Sequence, residues 1–550
     1  MSLLRNVVNQ LPDAGGILDS DLLTLSREGR WRKTDLPTLR GAIFPGGIEK
    51  FPDAGTLLDT DVLAVSRGGV LRQTDIADIR TAVAPITNVS GLYDATNDVL
   101  RARTQPGYVG DQVSLNAAFA SRRGVCVSPD VGFLDIRATV QIPQAGSRFA
   151  CLGGIQATPI FRSQTCTGAT IRVGNPNPSG GGAGGCTIDN LWMLHDGRGP
   201  GQYTEGSALP NRLTNGESHL EIHGGQGVTL RAIGGWGAVY GISLYGCVAV
   251  TIDSPFFLGG VWDPALASAQ ETIAQINLGS STGYGYNKNV TIIAPTLIGN
   301  ISTGRRDVVV QEKTVQVTRR IGPRYGLLVR SCEDYAVFGG FIGGAADDSV
   351  TLRPVTASDY IINGRFVGVN IDECNNYLVS AYRGNGAPMP DGLDIVSSRI
   401  SGQICAINGV RILPAADGGN SLRTLTMPGT VIRDVLGGGA VLLGLGDSNL
   451  SPAIITGYNC ANSGDQLCAG IAIGGSSSYV DVDQTRFGGG INGIKTASVV
   501  DAFGISGNGT KFGLTNLPGP TNITKGRFTQ FPFGQTGGAL TAGTFAPDPS

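Results

Sequence analysis

Short apolar runs separated by glycine and small polar residues dominate the chain. In GLLVRSCEDYAVFGGFIGG (326–344), apolar residues alternate, a cysteine follows, and a second apolar run ends in glycines. The order returns at 241–260 (GISLYGCVAVTIDSPFFLGG) and 368–386 (GVNIDECNNYLVSAYRGNG). Gly241, Gly326 and Gly368 superimpose without a gap, as do Leu244, Val329 and Ile371, then Cys247, Cys332 and Cys374, then Val250, Tyr335 and Tyr377. A looser copy at 470–490 carries Ser476 in the cysteine position. Repeated apolar-x-apolar strands with Gly, Asn or Asp turns predict a mainly β solenoid, whose units bury their apolar faces against their neighbours. Further strands are expected within 220–237, 290–300, 359–366 and 431–446, and polar insertions at 196–216, 302–323 and 345–358 should project from the turns.

The N-terminus repeats differently. Residues 11–43 realign on 51–83, each copy reading Pro-Asp-Ala-Gly, Asp-x-Asp, an apolar strand, Ser-Arg, a glycine turn (Gly29, Gly69), a second strand and Thr-Asp. Thr34-Asp35 and Thr74-Asp75 are helix N-cap signals. Units this small bury little alone, so they are expected to need oligomerisation or a partner surface. The organisation read from the chain is therefore tandem adaptor modules over 1–84, a neck over 85–106, the solenoid with its cap over 107–520, and a tail or tip over 521–550.

Glycine contributes 84 of 550 residues without a collagen period, as many tight turns between strands require. Charged residues are only 15%, and the net charge is −2, with neither a basic stripe for nucleic acid nor an apolar run long enough to insert in a bilayer. The ten cysteines read as small buried thiols, since three share one repeat position. MSLLRNVVNQ lacks an apolar signal core, so synthesis and folding in a reducing cytoplasm are expected. Cys460 and Cys468 are the pair to inspect for a disulfide. No metal or cofactor motif stands out.

Residues 107–154 give a specific likeness. Gly110-Asp111 precedes a short helix with Leu115, Ala118 and Phe119 on one face, followed by GVCVSP, a strand ending at Pro143, and RFACLGG. This succession resembles the cap of pectate-lyase-like right-handed, single-stranded parallel β-helices, in particular those of bacteriophage tailspikes and tail fibres. The family pattern often reads Gly-Asp-Gly-x-x-Asp-Asp where this chain has GDQVSLN. The doubled N-terminal module also resembles short segments of phage tail proteins. The resemblance implies a homotrimer on a virion tail, joined to other tail or baseplate proteins through the N-terminal modules and synthesised in the host cytoplasm. It also implies action at the host surface on a bacterial polysaccharide, which such proteins bind and often cleave. A depolymerase and a non-catalytic receptor-binding or structural fibre both remain open. A free secreted polysaccharide enzyme is disfavoured, because it has no use for the adaptor modules.

Glycoside hydrolysis needs two carboxyls ~5–5.5 Å apart for retention or ~6.5–9.5 Å apart for inversion, distances that neighbouring coils provide. Three constellations qualify. The repeat alignment stacks Arg330 on Asp372 and Ser331 on Glu373, and puts Glu333 and Asp334 with Asn375 and Asn376, giving acid–base candidates beside a charged clamp; the plain alternative is turn residues and a surface ion pair. In NGESHLEIHGG (215–225), Glu217, His219, Glu221 and His223 are expected to face outward, near His195 in sequence. His219 and Glu221 are acid–base candidates ~7 Å apart, whereas the two strand histidines lie ~13 Å apart, too far to share a metal. Trp236, Tyr240, Tyr245, Trp262, Tyr284 and Tyr286 are candidates for a track of rings that stacks on sugars, with core or interface roles as the alternative.

Overall fold

In the computed structural model the described residues are 92–445, apart from 164–165, 167, 196–217, 238, 261–272, 282, 300–304, 311–312, 319–321 and 403–405; outside that range strand backbone and the buried Ile471 are described. The chain divides into two compact units, residues 1–90 with 152–154, and the remainder.

In the first unit each repeat forms an antiparallel hairpin, Leu22–Arg27 with Arg30–Asp35 and Val62–Arg67 with Val70–Asp75. The leading strands then pair with one another, Leu22 opposite Ser66 and Thr24 opposite Ala64, making one four-stranded sheet. The two modules thus supply part of each other's partner surface. Thr34-Asp35 and Thr74-Asp75 end strands, and the helices expected after them lie outside the described residues.

The second unit is a parallel β-helix. Each coil crosses three faces. Face I is a 14-stranded parallel sheet that includes Ser218–His223, Tyr240–Tyr245, Ala274–Gly279, Tyr325–Val329, Asp348–Leu352, Tyr377–Ala381 and Asn408–Ile412. Face II carries Val248–Asp253, Asn287–Ile293, Cys332–Phe338, Ile361–Val367 and Asp391–Val396, and face III carries Phe256–Leu258, Thr296–Ile298, Phe341–Ala345, Asn370–Cys374 and Arg399–Ser401. The interior is a stack of apolar ladders. One runs Leu220, Ile242, Ile276, Leu327, Val350, Val379, Val410 on face I. Another runs Phe257, Leu297, Ile342, Ile371, Ile400 on face III. All of these side chains are buried. Parallel pairing with no slip lets each methyl meet its counterpart on the next coil.

The bend from face II to face III recurs at one register position: Asn190, Ala232, Ser254, Ala294 and Ser397 all have positive φ, as do Gly339 and Gly368 in the same column. A left-handed backbone costs a non-glycine residue ~1–2 kcal/mol. Ala294→Gly is therefore expected to stabilise this unit by about 1 kcal/mol, read from the denaturant midpoint.

The cap matches its sequence signature. Leu115, Ala118 and Phe119 of the helix Gln112–Ser121 are buried. Residues expected to form the neck join this cap: Tyr93–Asp94 pairs with Val125–Cys126, and Thr96–Arg103 is a helix.

Two expectations are corrected. The third repeat copy belongs to a different face: Gly241 and Gly326 share a face I column through Gln275, but Gly368 is a face II–III bend. Cys247 and Cys332 accordingly stack through Asn287, whereas Cys374 pairs with Ala345 on face III. The offset arises because every coil repeats the same strand–turn grammar three times. Asn287 replaces a thiol in the cysteine column with an amide clip: its Oδ1 accepts from the Cys247 N–H (2.9 Å), and its Nδ2 donates to the carbonyls of Gly279 (2.7 Å) and Ser331 (3.0 Å). The seven described cysteines are buried and free, and burial pushes the Cys247 thiol up to about 11. Cys460 and Cys468 lie outside the described residues.

The second correction concerns the insertions. Residues 302–323 contain an antiparallel hairpin, Arg305–Val310 with Lys313–Thr318. Its Val308 and Val317 pack against Ile407 and Leu436, three and four coils further on, so it lies along the corner between faces III and I. Residues 345–358 are only in part an insertion, because Asp348–Leu352 is a face I strand. Insertion 196–216 lies outside the described residues.

Candidate active site

The outer side of face I carries more polar groups than its burial would suggest. Asp347 and Asp348 stand where the chain turns from face III into face I. Asp347 is held by the Arg324 guanidinium (2.9 Å) and the Asn376 side-chain amide (2.5 Å). Asp348 is 7% exposed and accepts three hydrogen bonds, from the Ser380 hydroxyl (2.6 Å), the Thr351 hydroxyl (3.2 Å) and the Tyr377 N–H (3.1 Å). Burial first, and the neighbouring Asp347 second, nevertheless push the Asp348 carboxyl up to about 7, outweighing the hydrogen bonds that favour its charge. A carboxylic acid that keeps its proton near neutral pH is the requirement for a general acid.

Register places Tyr325 one coil before Asp348 and Tyr377 beside it on the following strand. Tyr325 accepts from Arg353 Nη1 (3.0 Å) and packs with Tyr240, Ala274 and Leu328, and burial pushes its phenol up to about 12. Arg411 lies 4.9 Å from the Tyr377 ring centre. A proton donor, tyrosine rings and guanidinium groups thus gather on consecutive coils. The signal in the sequence is GGAADDSVTL (343–352), where the alternation of Val350 and Leu352 announces a strand directly after the paired aspartates.

The first sequence constellation does not assemble. Arg330 ends a face I strand and stacks on Arg353, whereas Asp372 lies on face III opposite Gly343. Glu333 is ion-paired with Lys288 (2.9 Å), which holds its carboxyl below the usual range. Asp334 has positive φ in the column of Asn289 and Asn363 and accepts from the Asn363 amide (2.8 Å), so it makes a bend within the face II strand and does not stack on Asn376. Glu373 also has positive φ, and its N–H donates to Asp372 Oδ1 (2.9 Å).

The second constellation is buried and not exposed. His219 turns into the coil corner, where Nε2 meets the Trp236 carbonyl (2.7 Å) and Nδ1 the Thr170 hydroxyl (3.3 Å). Glu221 stays on the outer column with the Arg172 guanidinium (3.0 Å) and His223 Nε2 (3.4 Å). Burial alone would raise Glu221, but His223 and Arg172 together hold it below the usual range, which suits an anchored anion and not a proton donor. Glu217 lies outside the described residues. Among the described residues no group of three or more His, Cys, Asp or Glu is placed to hold a metal.

The aromatic candidates separate. Trp236 is 2% exposed and lies over Gly259, where a Cβ would stand 1.2 Å from the indole. Tyr240 joins the outer face I cluster with Tyr325, and Tyr245 stacks on His223 at 4.9 Å. Tyr284 donates to the Asn175 carbonyl (2.8 Å). Tyr286 meets Tyr360 at 5.0 Å across the intervening Ser331, with Lys288 at 4.8 Å. Trp262 lies outside the described residues. The described rings form separate face I and corner groups, not one continuous track.

No protein-family model and no curated protein sequence matches the chain. Solved structures similar to it include three of different kinds. PfbA, a surface adhesin of Streptococcus pneumoniae, is 13% identical, with 78% of this chain and 93% of that one covered and a TM-score of 0.43. The Dettilon tailspike protein is 9% identical, with 82% and 70% covered and a TM-score of 0.44. The catalytic unit of a GH87 α-1,3-glucanase from Streptomyces thermodiastaticus is 12% identical, with 98% and 86% covered and a TM-score of 0.44. The parallel β-helix assignment rests on this chain's own strand register, and a fold alone does not select a function.

Proposed function

We propose that the chain is a tailspike or tail fibre that binds a bacterial surface polysaccharide on the outer side of face I and cleaves it during adsorption. The observation that carries cleavage is the buried Asp348 carboxyl, held by the Ser380 and Thr351 hydroxyls and the Tyr377 N–H beside the ion-paired Asp347, a setting in which burial pushes it up to about 7. Asp348 gives its proton to the glycosidic oxygen as the bond to the leaving sugar breaks, and a water adds to the anomeric carbon, losing its proton to Asp347, the second carboxyl on the same corner. The doubled adaptor module and the cap sequence support the virion setting.

A homotrimer is part of this reading. Its support is an apolar column on the outer side of face II: Ile293 and Phe338 are 38% and 41% exposed, and Val367 and Val396 continue the register half-buried. Exposed aligned apolar residues of this kind mark an interaction surface. Phe338→Glu is expected to shift the assembled species to monomer in light scattering, while unchanged mass would remove this column from the interface.

The test of cleavage is incubation of the full chain with envelope polysaccharides from a panel of bacteria. New reducing ends are expected with the wild type and not with Asp348→Asn. Reducing ends produced equally by both proteins would defeat the assignment. Binding without reducing ends from either would leave the receptor-binding fibre as the function.

A further inference from the structure

Most arginines on the described coils have a carboxylate: Arg324 has Asp347, Arg383 has Asp417, Arg423 has Asp391 and Arg172 has Glu221. Three other arginines on the same face differ. Arg330 and Arg353 occupy one outward column on consecutive coils, and Arg411 stands two coils beyond Arg353 in the column of Thr351 and Ser380. All three are half-buried, and none forms an ion pair among the described residues. Their hydrogen-bond partners are neutral: Arg353 donates to the Tyr325 hydroxyl (3.0 Å) and Arg411 to Asn408 Oδ1 (3.0 Å). The Nε atoms of Arg330 and Arg411 are buried, with no acceptor among the described residues.

A half-buried guanidinium with an unused donor is costly to keep unless something anionic arrives to accept from it. Arginine suits that role because its planar fork meets a carboxylate or phosphate through paired hydrogen bonds. Solvated surface arginines would have their donors in water, which these two Nε atoms do not. The rings of Tyr377 (4.9 Å from Arg411) and Tyr382 (5.9 Å from Arg353) hold the guanidinium planes in place. The cations stand on three levels of the coil stack: Arg330 and Arg353 are one coil apart, ~5 Å, and Arg411 lies two coils further and two residues back along the strand, ~12 Å from Arg353, so an anionic chain crossing the coils meets all three.

From this we infer that the polysaccharide is acidic, each repeat carrying an anionic group that Arg330, Arg353 and Arg411 bind on the outer side of face I. This rests on the proposed glycan reading and specifies its substrate class. Carboxylated sugars and phosphate or sulfate esters offer the same chemistry to a guanidinium.

The test uses the full chain and the envelope polysaccharide that it retains, in native form and with its carboxyl groups reduced to alcohols. The expected result is a loss of affinity of about thirtyfold or more in Arg353→Gln and in Arg411→Gln, partial recovery in Arg353→Lys, and weakening with salt. A matching loss on carboxyl reduction assigns the anion to a carboxylate. Full affinity after reduction, with the arginine variants still weak, supports the inference with an ester anion instead. Unchanged affinity in both variants, or tight salt-independent retention of a neutral polysaccharide, overturns the inference and leaves glycan binding standing. Retention of no polysaccharide by the wild type overturns both readings.

Discussion

Asp348→Asn is expected to lower cleavage at neutral pH by 10²-fold or more while making the protein more stable there. The two effects share one cause. The folded-state carboxyl titrates at about 7, well above its unfolded value of 3.8. Between those values the folded protein binds more protons than the unfolded chain. Stability linked to this group is therefore fully present below the unfolded value, declines as pH rises, and is lost above about 7, by on the order of a few kcal/mol. Asparagine cannot ionise and keeps the shape of the protonated acid. Its carbonyl accepts from the Tyr377 N–H while its amide donates to the Ser380 and Thr351 oxygens. The gain in denaturant midpoint should be largest above pH 7 and should vanish towards pH 4. A variant equally stable at all pH values would mean that Asp348 ionises normally in the folded protein. A residue whose replacement improves stability and removes activity is the expected mark of a functional carboxyl.

The second large effect belongs to the cap. Asp111 is fully buried, and its carboxylate takes the Arg103 guanidinium on both oxygens, the Tyr108 hydroxyl (2.7 Å) and the Asp135 N–H (2.7 Å). It ties the helix Thr96–Arg103 and the start of Gln112–Ser121 to the first face III strand, Leu134–Ile136. Asp111→Ala leaves the half-buried Arg103 with only the Val131 and Phe133 carbonyls as acceptors and is expected to cost ~2–3 kcal/mol. The double variant Arg103→Met, Asp111→Ala should recover part of that loss, because the stranded charge is gone. Amide exchange over 93–136 in the single variant provides the measurement. Protection unchanged there would show that helix packing through Leu115 and Phe119 suffices without the ion pair.

These two sites also show what the sequence could convey. The cap was legible because its signal is local: Gly110-Asp111, then three apolar residues on one helical face. The solenoid was legible from alternation within each strand. The phase of the coil was not. A triangular coil contains three strand–turn segments of similar composition, so Gly368 and Cys374 aligned plausibly with Gly326 and Cys332 while lying a face away. Every pairing derived from that alignment, Arg330 with Asp372 above all, failed with it. The direction of His219 was hidden for a related reason. At the corner entering face I the strict alternation is interrupted, so a residue read as outward turns into the fold. Asp348 went unnoticed because two adjacent aspartates resemble a solvated turn, and only the strand after them, seen in its register, buries the second.

The most direct test of the face I site is hydrogen exchange of the full chain with and without oligosaccharides cut from the polysaccharide it binds. Slowed exchange in the strands 325–330, 348–353 and 377–382, reduced by Arg353→Gln, is the predicted result. Protection confined to face III around Asp372, or to the Tyr286–Tyr360 corner, with 348–353 unchanged, would contradict it.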